Sequence, residues 1–135
     1  TGPRAIEGPD GPARAVLDAS ILLSPDPGLP AMEVAISAIT LAQLHQGALA
    51  ATAPEDRAEL LRRVAVAERT FDALPVEDAV AREYGRLSLL AGGRRISIAD
   101  LLVAATATTH GAALWTRRPD AFAAVGEAVA IRTAD

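Results

Sequence analysis

Short apolar runs alternate with segments of helical period along most of the chain. Runs of four to five residues without polar alternation are typical of strands buried on both faces of a sheet. They predict strands at 14–17, 34–37, 112–116 and 128–132, and a brief extended piece at 74–76. The alternation of these strands with helices predicts an α/β fold, in which helices cover both faces of a mostly parallel sheet.

The helical segments between the strands are bounded by capping and breaking residues. Thr40 is positioned to cap the first, Pro54 stands at a tolerated first-turn position, and Gly92 ends a third. The predicted helices cover 40–51, 54–73, 77–90 and 97–109, with a short one at 119–124.

Residues 1–13 differ from the rest of the chain in their content of Gly and Pro. Six of these 13 residues are Gly or Pro, which indicates a flexible tail. The chain has 135 residues, which predicts that the part after the tail, 14–135, is a single domain. A domain of this size can bury its own hydrophobic core.

Composition excludes several classes of protein. The absence of Cys excludes disulfides, thiolate metal sites and cysteine nucleophiles. All 13 basic residues are Arg, and without Lys neither a P-loop nor a Schiff-base enzyme is possible. No apolar stretch approaches the ~20 residues that cross a bilayer, and no signal peptide pattern is present. The expected location is therefore the cytoplasm, and the net charge of −4 does not argue against a nucleic-acid partner.

Polar residues follow the predicted strands where an α/β sheet binds its ligands, at the carboxyl ends. Asp18 follows the first strand, Asp100 begins a helix, and Thr116 to Asp120 follow a later strand. Each has a plain structural alternative. Asp18 fits an N-cap or Asx turn, Ser97 and Asp100 have the spacing of a capping box, and turns ordinarily collect polar residues.

Taken together, these positions indicate a site for a hard cation. Two carboxylates brought close together repel unless a cation lies between them. Mg²⁺ suits such a pair, since it binds through one or two carboxylates, waters and substrate phosphates. A metal there can activate water and stabilise charge on a phosphodiester.

Five motifs in order resemble VapC-type PIN-domain toxins, from about residue 14 to 132. They are Val-Leu-Asp-Ala-Ser-Ile-Leu at 16–22, Ile-Ser-Ala-Ile-Thr-Leu-Ala-Gln-Leu-His-Gln-Gly at 36–47, Leu-Pro-Val-Glu-Asp-Ala-Val-Ala-Arg-Glu-Tyr-Gly-Arg-Leu at 74–87, Ile-Ala-Asp-Leu-Leu-Val-Ala-Ala-Thr-Ala at 98–107, and Leu-Trp-Thr-Arg-Arg-Pro-Asp-Ala-Phe at 114–122. The resemblance implies a PIN-like three-layer α/β/α sandwich and a Mg²⁺-dependent or Mn²⁺-dependent endoribonuclease. It also implies a VapB-type antitoxin partner and a homodimer.

The match to the family's acidic site is incomplete. Asp18 and Asp100 fall on its first and third acids, whereas Gln43 stands where the family has Glu. In the fourth region Arg118 replaces Asn or Asp and Ala121 replaces Asp, which leaves the neighbouring Asp120 as a substitute. Gln43 is open to three explanations: an introduced inactivating change, a naturally weak nuclease, or a PIN domain retained for binding. The divergent fourth region favours natural divergence.

Two hypotheses follow for the chain's function. In the first, Asp18 and Asp100 bind Mg²⁺, Gln43 orients a water at the metal, and Asp120 is the fourth member of an endoribonuclease site. In the second, a catalytically silent PIN module binds RNA or a partner helix. A phosphatase-like α/β domain is a third possibility if the motifs mislead.

Two pairs of basic residues are candidates for contacts with RNA phosphates, and each has an ordinary alternative as a solvated loop charge. The two pairs are Arg94 with Arg95 and Arg117 with Arg118. The helices predicted at 54–73 and 77–90 carry more apolar residues than one core face needs, which predicts surfaces for a second copy and for an amphipathic partner segment.

Overall fold

Five parallel strands form the centre of the protein. The computed structural model describes residues 7–8, 11–25 and 28–133. The strands are β1 (Arg14–Leu17), β2 (Glu33–Ser37), β3 (Ala73–Leu74), β4 (Ala113–Thr116) and β5 (Ile131–Thr133), in the order β3-β2-β1-β4-β5. Every adjacent pair of strands is parallel, so the expectation of a mostly parallel sheet is confirmed.

Helices connect the strands and cover the sheet. They are α1 (Ala19–Leu22), α2 (Ala38–Ala50), α3 (Pro54–Thr70), α4 (Asp78–Ala91), α5 (Ile98–Thr109) and a 3₁₀ helix (Pro119–Val125). The long turn from α4 to α5 starts at Gly92, whose φ of 61° closes α4 in the left-handed region that glycine adopts without strain.

Successive strand residues alternate between two cores, as the period of two in a strand requires. Val16 and Leu114 pack with α4, α5 and the 3₁₀ helix on one face. Leu17 and Ile36 pack against the other face, with Ile21 of α1. The predicted three-layer α/β/α sandwich is therefore confirmed.

The strand order reverses between β1 and β4. From β1 the chain builds outward through β2 to β3, then returns to the other side of β1 as β4. At such a reversal the connecting segments leave in opposite directions and open a crevice outside the carboxyl ends of the strands. In this protein the crevice lies directly after Leu17 and Thr116.

The predicted cap of the first long helix is wrong. The Ser37 side chain accepts a hydrogen bond from the N–H of Ile39, so α2 begins at Ala38, two residues before Thr40. Thr40 is instead buried, and its hydroxyl donates to the carbonyl of Leu17 at 3.4 Å, which joins α2 to β1.

Two predicted boundaries also move for reasons of pairing. The helix predicted to reach residue 73 ends at Thr70, because Ala73–Leu74 adds to the sheet beside β2. The strand predicted at 128–132 starts later, since the N–H groups of Ala128 and Val129 donate to the carbonyl of Val125 and extend the preceding turn.

Part of the predicted tail at 1–13 lies outside the described residues. In its described part, Glu7–Gly8 pairs antiparallel with Gly11–Pro12. Across the ranges that the structure describes, no helix has the length and apolar character needed to span a bilayer.

Candidate active site

Asp18 is fixed at the carboxyl end of the central strand. Its side chain is almost fully buried, with 1% of the residue exposed. The carboxylate accepts hydrogen bonds from the N–H of Ser20 at 3.0 Å and from the Ser20 hydroxyl at 2.5 Å. Asp18 therefore does cap α1, as the structural alternative held, and its second carboxylate oxygen, Oδ2, remains for other partners.

That second oxygen is held from the neighbouring strand. Thr116 ends β4 and is fully buried, and its hydroxyl donates to Asp18 Oδ2 at 2.6 Å. The same hydroxyl accepts from the N–H of Arg118 at 2.9 Å, and the Ser20 hydroxyl accepts from the N–H of Arg117 at 2.9 Å. The two hydroxyls thus tie the loop after β4 to the loop after β1.

Asp100 reaches the same crevice from the first turn of α5. Its N–H donates to the Ser97 hydroxyl at 3.0 Å, the first half of the predicted capping box. The Asp100 carboxylate turns instead towards Arg118, and the residue is 8% exposed. The helix N-terminus favours a negative charge at this position.

The side chain of Arg118 joins the two acids. Its Nη2 lies 3.2 Å from Asp100 Oδ1 and 3.5 Å from Asp18 Oδ2, so these two oxygens are at most 6.7 Å apart, the sum of the two distances. The guanidinium also lies over the ring of Phe122, 6.0 Å from its centroid. The structure therefore brings Asp18 and Asp100 together around a single cationic group.

The other two predicted members of the site are placed differently. Asp120 is exposed and lines an open cavity together with Asp100, Ser97 and Arg95. Gln43 lies half-buried in α2, six residues after the helix cap. In the described ranges, no three side chains of the types His, Cys, Asp and Glu come close enough to form a metal site.

Two of the basic residues predicted to contact RNA, Arg94 and Arg118, have side chains that contact other groups of the protein. Arg94 donates to the carbonyls of Leu90 and Ala91 and so closes the end of α4. Arg118 is paired with the acids, while Arg95 is exposed beside them. The predicted contacts with phosphate stay a prediction for all four arginines.

Sequence reasoning missed Ser20 and the bond between Thr116 and Asp18. The signal for Ser20 was present, because in an Asx turn the Asp side chain accepts from the backbone N–H two residues on, which for Asp18 is that of Ser20. The signal for Thr116 was its place at the end of a strand, but its partner depends on the pairing of β1 with β4.

The donors in the crevice fit a hard divalent cation. Two buried carboxylates stand on fixed backbone, and hydroxyl groups rather than apolar atoms surround Asp18. Mg²⁺ needs one or two carboxylates and completes its six ligands with water and phosphate oxygens. Asp18 and Asp100 are the residues that would hold it.

Comparison with known proteins agrees with this fold. The sequence pattern of the PIN domain matches residues 15–128. This chain belongs to the PIN-domain family. Ribonuclease VapC5 of Mycobacterium tuberculosis is 37% identical over 130 residues, covering 89% of this chain and 93% of that protein. Ribonuclease VapC4 of the same organism is 37% identical over 90 residues, covering 65% and 68% of the two chains.

Solved structures place the PIN domain among the same relatives. A VapBC-5 toxin–antitoxin structure from M. tuberculosis has 37% identity and a TM-score of 0.79, and the match covers 90% of this chain and 98% of that chain. FitAcB from Neisseria gonorrhoeae has 29% identity and a TM-score of 0.72, covering 87% and 95%. The resemblance to VapC-type PIN domains inferred from the five motifs is confirmed.

Proposed function

We propose that this PIN domain is a metal-dependent endoribonuclease, the toxin of a toxin–antitoxin pair. The observation that carries the proposal is the pair of buried carboxylates, Asp18 and Asp100, at the strand-order reversal of the sheet. The relationship to Ribonuclease VapC5 over most of both chains supports RNA as the substrate.

In this proposal each side chain has a stated task. Asp18 and Asp100 hold Mg²⁺ or Mn²⁺, which when bound supplies an activated water and neutralises charge on the scissile phosphodiester. Gln43 orients the attacking water through its amide, and Asp120, which lines the cavity beside Asp100, is the fourth member of the site. Arg94, Arg95, Arg117 and Arg118 form the basic rim that contacts RNA phosphates.

The test is cleavage of total RNA with mapped ends, in Mg²⁺ and in EDTA. We expect cleavage in Mg²⁺ that EDTA removes and that both Asp18→Asn and Asp100→Asn reduce by at least about a hundredfold. Asp72→Asn is the matched control, because it makes the same chemical change at an exposed position outside the crevice. Melting temperatures accompany each assay, since Asp18 also caps α1. Equal cleavage in all of the folded variants would contradict the assignment.

A second candidate function is a binding module without nuclease activity. It is favoured by Gln43 and by the absence, within the described residues, of a third acid beside the pair. The substitution Gln43→Glu distinguishes these two candidate functions. Cleavage that appears or rises on this change supports a weakened nuclease, and a folded Gln43→Glu protein that binds RNA without cutting it supports the binding module.

The structure refines the predicted partner surfaces. Of the apolar residues on α3 and α4, Val64, Val80 and Leu87 belong to the core, so the predicted excess is smaller than the sequence suggested. Val66 and Leu89 are exposed at 51% and 81%. The apolar residues that do not belong to the core therefore lie at exposed positions of α3 and α4.

We assign these exposed surfaces to a VapB-type antitoxin and to a second copy of the chain. Val66 lines an apolar groove beside α1 with Leu22, Leu29 and Phe71, which fits the apolar face of an amphipathic segment. The toxin–antitoxin complexes among the structural relatives support the first partner. A concentration-independent monomer mass in sedimentation would contradict the homodimer.

A further inference from the structure

Arg118 is anchored by its backbone, whereas its side chain is half-exposed. Its N–H donates to the Thr116 hydroxyl at 2.9 Å, and its carbonyl accepts from the N–H of Ala121 at 3.0 Å. Pro119 follows and restricts the backbone further. The side chain, in contrast, is 49% exposed, whereas those of Asp18 and Asp100 are 2% and 11% exposed. Arg118 can therefore leave the acids by rotating about its side-chain bonds, without any movement of the backbone.

We propose that Arg118 is a built-in counter-ion that must leave the acidic pair before a divalent cation binds. The inference rests on the proposed role of Asp18 and Asp100 as metal ligands. Magnesium ligands lie about 2.0–2.1 Å from the ion. A guanidinium nitrogen within 3.5 Å of both carboxylates occupies the space and the oxygen lone pairs that such an ion uses.

Charge makes the two states mutually exclusive. With Arg118 in place, the acidic pair and its counter-ion carry a net charge of −1, and with Arg118 turned out the pair carries −2. A divalent cation is attracted to the second state and is repelled by the guanidinium in the first. Gln43 lacks the negative charge of the family's Glu, which lowers the attraction for Mg²⁺, and a cation that the chain itself supplies lowers it further.

The exchange is reversible because the guanidinium is half in solvent. Ion pairs with such exposure contribute little, and each is worth up to about fivefold in an equilibrium constant. Once released, the guanidinium can pair with an RNA phosphate, the role that the sequence predicts for it.

The experiment is calorimetric titration of the full chain with MgCl₂ at low salt, without RNA. The proteins are the unaltered chain, Arg118→Ala, Arg118→Gln and the control Arg95→Ala. Arg95 lines the same cavity as Asp100, so its loss removes an equal charge nearby. We expect about five- to tenfold tighter Mg²⁺ binding in both Arg118 variants and less than about a twofold change in Arg95→Ala. Arg118→Gln retains a polar side chain. It takes the place of Arg118→Ala in the comparison if Arg118→Ala lowers the melting temperature.

Three results would overturn the inference. Equal affinity in all folded variants shows that Arg118 does not compete with the ion. An equal gain in Arg95→Ala and Arg118→Ala shows a general effect of charge. Absence of Mg²⁺ and Mn²⁺ binding in every variant removes the metal site itself. None of these readouts involves RNA, so a failure of the cleavage assay is distinguishable from a failure here.

Discussion

Removal of the Thr116 hydroxyl is the most direct test of the hydrogen bonds that fix Asp18 in the site. Replacing Thr116 by Val keeps the shape and the β-branched side chain, which suits a strand. It removes the donor that lies 2.6 Å from Asp18 Oδ2 in a fully buried position. The packing is kept while the hydrogen bonds of this hydroxyl are lost, so the effect on stability measures those bonds.

The expected magnitude follows from the charge of the acceptor. A hydrogen bond to an ionised group is worth about 1.5–3 kcal/mol, and a buried acceptor left without its donor also bears the cost of desolvation. The N–H of Arg118 loses its acceptor in the same change. We therefore expect Thr116→Val to lower the free energy of unfolding by about 2–3 kcal/mol. In urea this corresponds to a midpoint about 1 M lower, given slopes of about 1–3 kcal/mol/M.

Thr106→Val provides the matched control for the urea titration. Thr106 is equally buried, and its hydroxyl donates to the neutral carbonyl of Leu102 one turn earlier at 2.8 Å. Its loss should cost no more than about 1 kcal/mol. Thr116→Ser, which keeps the donor, should restore most of the stability lost in Thr116→Val. Equal midpoints for Thr116→Val and Thr106→Val would refute the argument that a buried, charged acceptor depends on this hydroxyl.

Three further predictions concern charge, capping and pH. Gln43→Glu should tighten Mg²⁺ binding by about tenfold in calorimetry, whereas Gln46→Glu, an exposed change on the same helix, should leave it unchanged. Ser97→Ala removes the cap of α5 and should lower the free energy of unfolding by about 1 kcal/mol in a urea titration. The hydrogen bond from Arg86 lowers the pKa of Glu83, so this pair stabilises the fold above the ordinary pKa of a Glu and the stabilisation is lost as pH falls. Glu83→Gln should therefore flatten the dependence of unfolding free energy on pH below 4.5, and an unchanged acid limb would contradict it.

The fold could be predicted from sequence because strands buried on both faces are short continuous apolar runs, whereas amphipathic helices repeat their apolar residues every three to four positions. Helix ends were less predictable, and α2 shows why. Ser37 and Thr40 both carry a hydroxyl that can cap a helix, and they stand three residues apart. The choice depends on where β2 stops pairing with β1, and that register continues to Ile36 beside Leu17.

The two acids of the candidate site could be predicted from sequence, whereas the groups that bond to them, the Thr116 hydroxyl and the Arg118 guanidinium, could not. Asp18 and Asp100 stand at positions that topology brings together, so local patterns sufficed. The bond from Thr116 requires the register in which Leu17 pairs with Trp115, which places Asp18 and Thr116 side by side. The direction of the Arg118 side chain depends on the assembled crevice, and no local pattern encodes it.

The separation of these residues along the chain has a consequence for biosynthesis. Asp18 is near the start of the domain, Asp100 lies 82 positions later, and Thr116 lies 98 positions after Asp18. Contacts between such distant segments form late in folding, because a long loop must close first. The chain emerges from the ribosome with its N-terminus first. β1 and Asp18 therefore leave the ribosome well before the segments that contact them have been synthesised. During synthesis the crevice cannot be complete until β4 has emerged and paired with β1, and any activity that depends on the crevice begins only after that pairing.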